Sequence, residues 1–126
     1  FLSPSKGVTS GNNFKIIGAV GDIPKDSVIP FRSGKFYLVR LPDGGFMALS
    51  LACTHLGCSI HWNAEDKRFI CPCHSSEFDM HGEVLNAPAP RPLDQYPVVI
   101  ENGMIKVETT KPLKRNKSDK LDITYA

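Results

Sequence analysis

Four cysteines and two histidines of this chain fall into two short loops. The first reads Cys53-Thr54-His55-Leu56-Gly57-Cys58 and the second Cys71-Pro72-Cys73-His74-Ser75-Ser76. Thiolate sulfur and imidazole nitrogen are ligands for zinc and iron, so this crowding marks one local site rather than dispersed core thiols. Two thiolates with two imidazoles could hold a tetrahedral zinc ion. Common zinc modules, however, pair Cys with Cys and His with His, whereas each loop here mixes one Cys with one His and adds a further Cys. A loop of that kind can give one ligand to each of two metal atoms, and two such loops facing each other suit a dinuclear cluster. His61 and His81 lie outside both loops and read as ordinary surface or partly buried histidines.

The elements that must position these loops read as strands. Residues 35–50 form a hairpin around Pro42-Asp43-Gly44-Gly45, and residues 96–101 and 104–109 form a second around Asn102-Gly103, a strong short-range hairpin signal. Residues 15–20, 60–62 and 68–70 add short apolar strands, and the Pro-rich run 87–92 must be an extended loop. Helical periodicity is not sustained over more than about two turns anywhere. The expectation is an all-β antiparallel sandwich or barrel in one domain, residues 1–126, with a base fold of about 14–50 and 94–110. A small subdomain of about 51–93 is inserted into it and carries both loops. Residues 111–126 form a flexible tail whose Lys111, Lys114, Arg115, Lys117 and Lys120 read as a solvated terminus.

Composition agrees with that plan. A chain of 126 residues, 41% hydrophobic and 22% charged, can bury one core, and ten Gly with ten Pro favour turns over a helical bundle. A net charge of +2 excludes a strongly basic nucleic-acid-binding surface. No run of about 18 apolar residues spans a membrane. The chain starts at Phe1 rather than Met, as expected of a processed or truncated product.

The string C-T-H-L-G-C followed by C-P-C-H-S-S-E-F-D resembles the Rieske iron-sulfur proteins, in particular the high-potential soluble domain of the Rieske subunit in cytochrome bc-type quinol-oxidising complexes. The run Ala87-Pro88-Ala89-Pro90 resembles that family's proline loop beside the cluster. The resemblance implies one 2Fe-2S cluster, with Cys53 and Cys71 on one iron and His55 and His74 on the other. It also implies a Cys58–Cys73 disulfide, cluster shielding or docking by Leu56, Pro88 and Pro90, and proton-coupled electron transfer through His55 and His74. Implied partners are a quinol, a cytochrome b-type subunit and a cytochrome c-type or plastocyanin-type acceptor. An N-terminal membrane helix absent from this chain and a place on the extracytoplasmic side of an energy-transducing membrane are implied as well. On this reading the chain is a redox subunit of an oxidoreductase complex, not a stand-alone enzyme.

Three positions depart from the family's pattern. Ala87 and Ser75 stand where Gly is usual. Ser76 matches the hydroxyl donor to a bridging sulfide, but Phe78 replaces the Tyr that in many members donates to a cysteine sulfur, which implies a lowered potential suited to a lower-potential quinol. Phe69, Ile70, Trp62 and Phe78 read as packing beneath the cluster, and Thr54 as a turn residue or a further donor. Competing readings are a Rieske subunit of another oxidoreductase of the arsenite oxidase type, a Rieske ferredoxin and a structural zinc module. A Rieske oxygenase needs a second domain for which this length has no room.

Overall fold

The computed structural model describes residues 14–52, 58–73, 75–86, 91–110, 112–114 and 123–126. Among them the chain is almost entirely β, with one 3-10 turn at Val20–Asp22. The strands are β1 (Phe14–Ala19), β2 (Ser27–Phe31), β3 (Phe36–Arg40), β4 (Phe46–Ser50), β5 (His61–Asn63), β6 (Arg68–Ile70), β7 (Glu77–Phe78), β8 (Val84–Asn86), β9 (Gln95–Tyr96), β10 (Val98–Glu101) and β11 (Met104–Glu108). They build three antiparallel sheets ordered β1-β11-β10, β2-β3-β4-β9 and β5-β6-β7-β8.

The middle sheet explains why the hairpin sequence is apolar at nearly every position. Side chains alternate between the faces of a strand, so a continuous apolar run belongs to a sheet covered on both sides. Phe36, Leu38, Phe46 and Ala48 pack with Val98, Ile105 and Val107 of the β1-β11-β10 sheet. Tyr37, Val39, Met47 and Leu49 pack on the opposite face with Ile60, Phe69, Cys71 and Phe78. The register sets Leu38 opposite Ala48 and Val39 opposite Met47, and a one-residue slip would exchange the two cores.

Turn chemistry holds that register. Gly44, at φ 97, lets Leu41 N–H reach the Gly45 carbonyl at 2.7 Å, while Gly45 N–H donates to Asp43 Oδ1 at 3.0 Å. In the second hairpin Asn102 and Gly103 both take positive φ, 52° and 75°, as a two-residue turn of this twist requires.

The third sheet lies within the expected insert. Its strands have only two or three residues, too short to be stable alone, so it depends on the core it shares with β3 and β4. An exposed Lys67–Asp26 ion pair at 2.5 Å joins the β5–β6 turn to the segment before β2. Such surface pairs contribute little, so apolar packing remains the main tie.

Where it is described, the tail makes contacts with the base fold. Leu113 pairs with Gln95 and Thr124 with Phe46, Ile123 packs on the core, and the Tyr125 hydroxyl donates to Asp43 Oδ2 at 2.9 Å. A methyl group on Gly45 would lie 2.5 Å from Ile123 Cγ2, so the absent side chain admits this strap. The Gly45 amide, then the Tyr125 hydroxyl, hold the Asp43 carboxyl below its ordinary range. Lys111, Arg115, Lys117 and Lys120 lie outside the described residues.

Candidate metal centre

The first loop leaves and re-enters the fold at a single point. Ala52 and Ser59 are bridged, and Ile60 N–H donates to the Leu51 carbonyl at 2.9 Å. One residue beyond the bridge stands Cys58, joined by a disulfide to Cys73 with a Cα–Cα separation of 6.5 Å. That bond ties the stem of one loop to the tip of the other.

The second loop is a tight return between β6 and β7. Ser75 N–H donates to the Cys71 carbonyl at 2.9 Å, and Cys71 N–H to the Ser76 carbonyl at 2.8 Å. Cys71 is a free thiol, 2% exposed, with its sulfur within 4.8 Å of both disulfide sulfurs. Those three cysteines are not three ligands, because the disulfide leaves only Cys71 able to offer a thiolate. Beneath the loop Ser76, Phe69 and Phe78 are completely buried, and Phe69 pairs with Phe78 across β6 and β7. Burying each ring contributes about 2–3 kcal/mol. Trp62 covers Phe69 with ring centroids 4.7 Å apart, and Ile70 is half-buried beside it.

Cys53, Thr54, His55, Leu56, His74, Ala87, Pro88 and Pro90 lie outside the described residues. His61 is exposed on β5, and His81 lies near Asp43, apart from the cysteines. Among the described residues no other group of Cys, His, Asp or Glu converges at ligand distance.

Sequence reasoning missed the part played by Tyr37. Its ring packs on Phe69 with centroids 5.0 Å apart, and its hydroxyl donates to the Ile60 carbonyl at 2.8 Å. Burial pushes its pKa up, so the hydroxyl keeps its proton and anchors the segment following Cys58 to the central sheet. A tyrosine inside an apolar strand carries no signal of that reach in sequence.

Ser75 holds φ at 62°, where a side chain meets its own backbone. This explains why glycine is usual there in the proteins this loop resembles. Ser75→Gly is expected to stabilise the fold by about 0.5–1 kcal/mol after the added freedom of the unfolded chain is counted. A higher urea midpoint is the expected result. A lower one would mean that the serine side chain contributes more than its backbone conformation costs.

Residues 13–97 match the model of the Rieske [2Fe-2S] domain, and the chain belongs to that family. The cytochrome b6-f complex iron-sulfur subunit of Chlorobaculum tepidum is 35% identical over 108 residues, covering 84% of this chain and 59% of that protein. The chain thus spans little more than half the length of that curated relative. Among solved structures, a hyperthermophilic respiratory Complex III superposes with a TM-score of 0.60 at 26% identity, covering 79% of this chain and 80% of that one. The plasma membrane Rieske protein PetC3 of Synechocystis PCC 6803 gives 0.53 at 27%, covering 74% and 97%.

The family's cofactor is one 2Fe-2S cluster, and the described residues fit it. The disulfide removes Cys58 and Cys73 from the donor set and leaves one buried free thiol, Cys71, at the loop junction. A two-Cys, two-His cluster then needs one more thiolate and two imidazoles. The two loops contain that complement in Cys53, His55 and His74.

Proposed function

We propose that Cys53 and Cys71 hold one iron of the cluster and His55 and His74 the other, in the electron-transfer subunit of a quinol-oxidising complex. The observation that carries this reading is the junction itself: a free, buried Cys71 held against a disulfide that joins the two ligand-bearing loops. When bound, the cluster supplies a one-electron acceptor whose oxidised form is near neutral, because two imidazoles replace two thiolates.

The protein's residues do the rest. An outer ring nitrogen of His55 or His74 accepts a hydrogen bond from a quinol hydroxyl and takes its proton. Leu56, Pro88 and Pro90 provide apolar shielding and contact beside these rings. Ser76 donates a hydrogen bond toward cluster sulfur, while Phe69 and Phe78 keep water from beneath it. The electron passes to a cytochrome c-type acceptor within an assembly that includes a cytochrome b-type subunit. That agrees with the name carried by the Chlorobaculum relative.

The disulfide also supports an extracytoplasmic location, since such bonds persist in oxidising compartments. No helix among the described residues is long and apolar enough to cross a membrane.

A redox titration across pH tests the reading. The reduction potential is expected to stay level at low pH and then fall by about 60 mV per pH unit once the oxidised form loses its first histidine proton. A potential independent of pH into the strongly alkaline range would exclude proton coupling through His55 and His74. The paramagnetic resonance of the reduced protein separates the cluster from zinc directly.

A further inference from the structure

A second site lies on the flank of the first loop. The turn from β2 to β3 projects Arg32 and Lys35 over a cleft of about 440 Å³, completed by Ser50, Leu51, Ser59 and Tyr96. None of its lining residues is acidic. Among the described residues neither cation forms an ion pair or a side-chain hydrogen bond, although both stand on the rim of one concave surface. Backbone bonds fix the turn: Gly34 N–H to the Phe31 carbonyl at 3.1 Å, Lys35 N–H to the Arg32 carbonyl at 3.2 Å, and Leu51 N–H to the Lys35 carbonyl at 3.1 Å. Lys35 is held at φ 59, so its placement results from packing of the turn and not from local preference.

Hydroxyl groups complete the donor set. Ser50, 8% exposed, accepts the Ala52 amide proton on its oxygen at 3.1 Å, which leaves its own proton to donate. The Ser59 and Tyr96 hydroxyls have no side-chain partner among the described residues, and Tyr96 is steadied by an edge contact with Phe36 at 6.2 Å.

We propose that this cleft binds a phosphate monoester. Two cations lining one cleft, a planar guanidinium fork and a lysine ammonium, match a dianion better than a single carboxylate, and a phosphate monoester carries about −1.5 to −2 charges at neutral pH. The volume falls in the range of small-molecule pockets, roughly 300–1,000 Å³, and exceeds what the phosphate fills. Leu51 and the Tyr96 ring form the wall for the organic remainder. The same chemistry is offered by a free small ester and by the headgroup of an anionic phospholipid.

Calorimetric titration of the cluster-loaded protein with glycerol phosphate, beside flotation with vesicles of phosphatidylcholine and phosphatidic acid in equal parts, distinguishes those sources. Arg32→Gln is expected to weaken the interaction about tenfold, and Lys35→Gln similarly. Lys15→Gln removes the same charge from an exposed position on β1 and is expected to leave binding unchanged. Binding of glycerol phosphate that is lost in Arg32→Gln assigns a soluble ester. Vesicle binding alone, lost in the same variant, assigns a lipid headgroup. The proposal is overturned if neither probe binds, or if Lys15→Gln weakens binding as much as Arg32→Gln does.

Discussion

Replacing Cys58 and Cys73 together by alanine is expected to lower the unfolding free energy by about 3 kcal/mol, the loop-closure value for a bond spanning about 15 residues. The sequence separation of this disulfide is 15. Its Cα–Cα distance of 6.5 Å lies within the usual range. The loss should fall on the insert more than on the whole domain. Strands β5 to β8 have two or three residues each, and their share of the core meets only one face of the central sheet. Opening of the loop pair should therefore become roughly a hundredfold more frequent. Cluster bleaching by a chelator should accelerate with it, while amides of β10 and β11 keep their exchange protection. A variant that loses less than about 1 kcal/mol and bleaches no faster would show that the core beneath the loops suffices without the covalent tie.

The legible parts of this fold were those whose local chemistry matched their tertiary role. The β3–β4 and β10–β11 hairpins stand where Pro42-Asp43-Gly44-Gly45 and Asn102-Gly103 placed them, because glycine and asparagine at positive φ leave few other turns. Strand β6 at Arg68–Ile70 matches its expected residues. Strand β5 starts one residue later than expected, and Val20 left β1 for a 3-10 turn.

Strand β2 escaped notice because Pro30 interrupts its pattern. A proline lacks the N–H needed inside a sheet, but β2 is an edge strand and Pro30 is exposed there. Strands β7, β8 and β9 are too short to show a period. The bridges of Leu113 and Thr124 are pure tertiary pairings, with no local signal for the segment they tie down. At the centre, residue types and spacing pointed to a mixed Cys/His dinuclear site but left zinc open. Division of the cysteines into ligands and crosslink came first from resemblance. The Cys58–Cys73 bond and the free Cys71 now give the crosslink and one candidate ligand a geometric basis.

Phe78→Tyr is expected to raise the reduction potential by about 60 mV, the one-electron equivalent of a tenfold change in equilibrium. Phe78 is wholly buried on β7, opposite Phe69 and in the same core cluster as Cys71. A hydroxyl added to its ring is fully buried, where an unpaired donor costs about 1–3 kcal/mol of stability. The alternative is a hydrogen bond to a cysteine sulfur. That bond strengthens when the cluster gains negative charge, and so favours the reduced form. Stability and potential are therefore linked in a way that separates the two outcomes. If the hydroxyl reaches sulfur, the potential rises and the urea midpoint hardly moves. If it does not, the midpoint drops and the potential stays where it was, and Phe78 is then a packing residue without influence on the electron. A rise should be accompanied by a shift of the pH-dependent limb to lower pH, because a hydrogen bond that draws charge onto the sulfur leaves the iron more electron-poor and the coordinated imidazoles more acidic. Ser76→Ala supplies the opposite arm: its buried hydroxyl should lower the potential when removed, and the double variant Phe78→Tyr with Ser76→Ala should return it toward the wild-type value if both donors act on the same cluster charge.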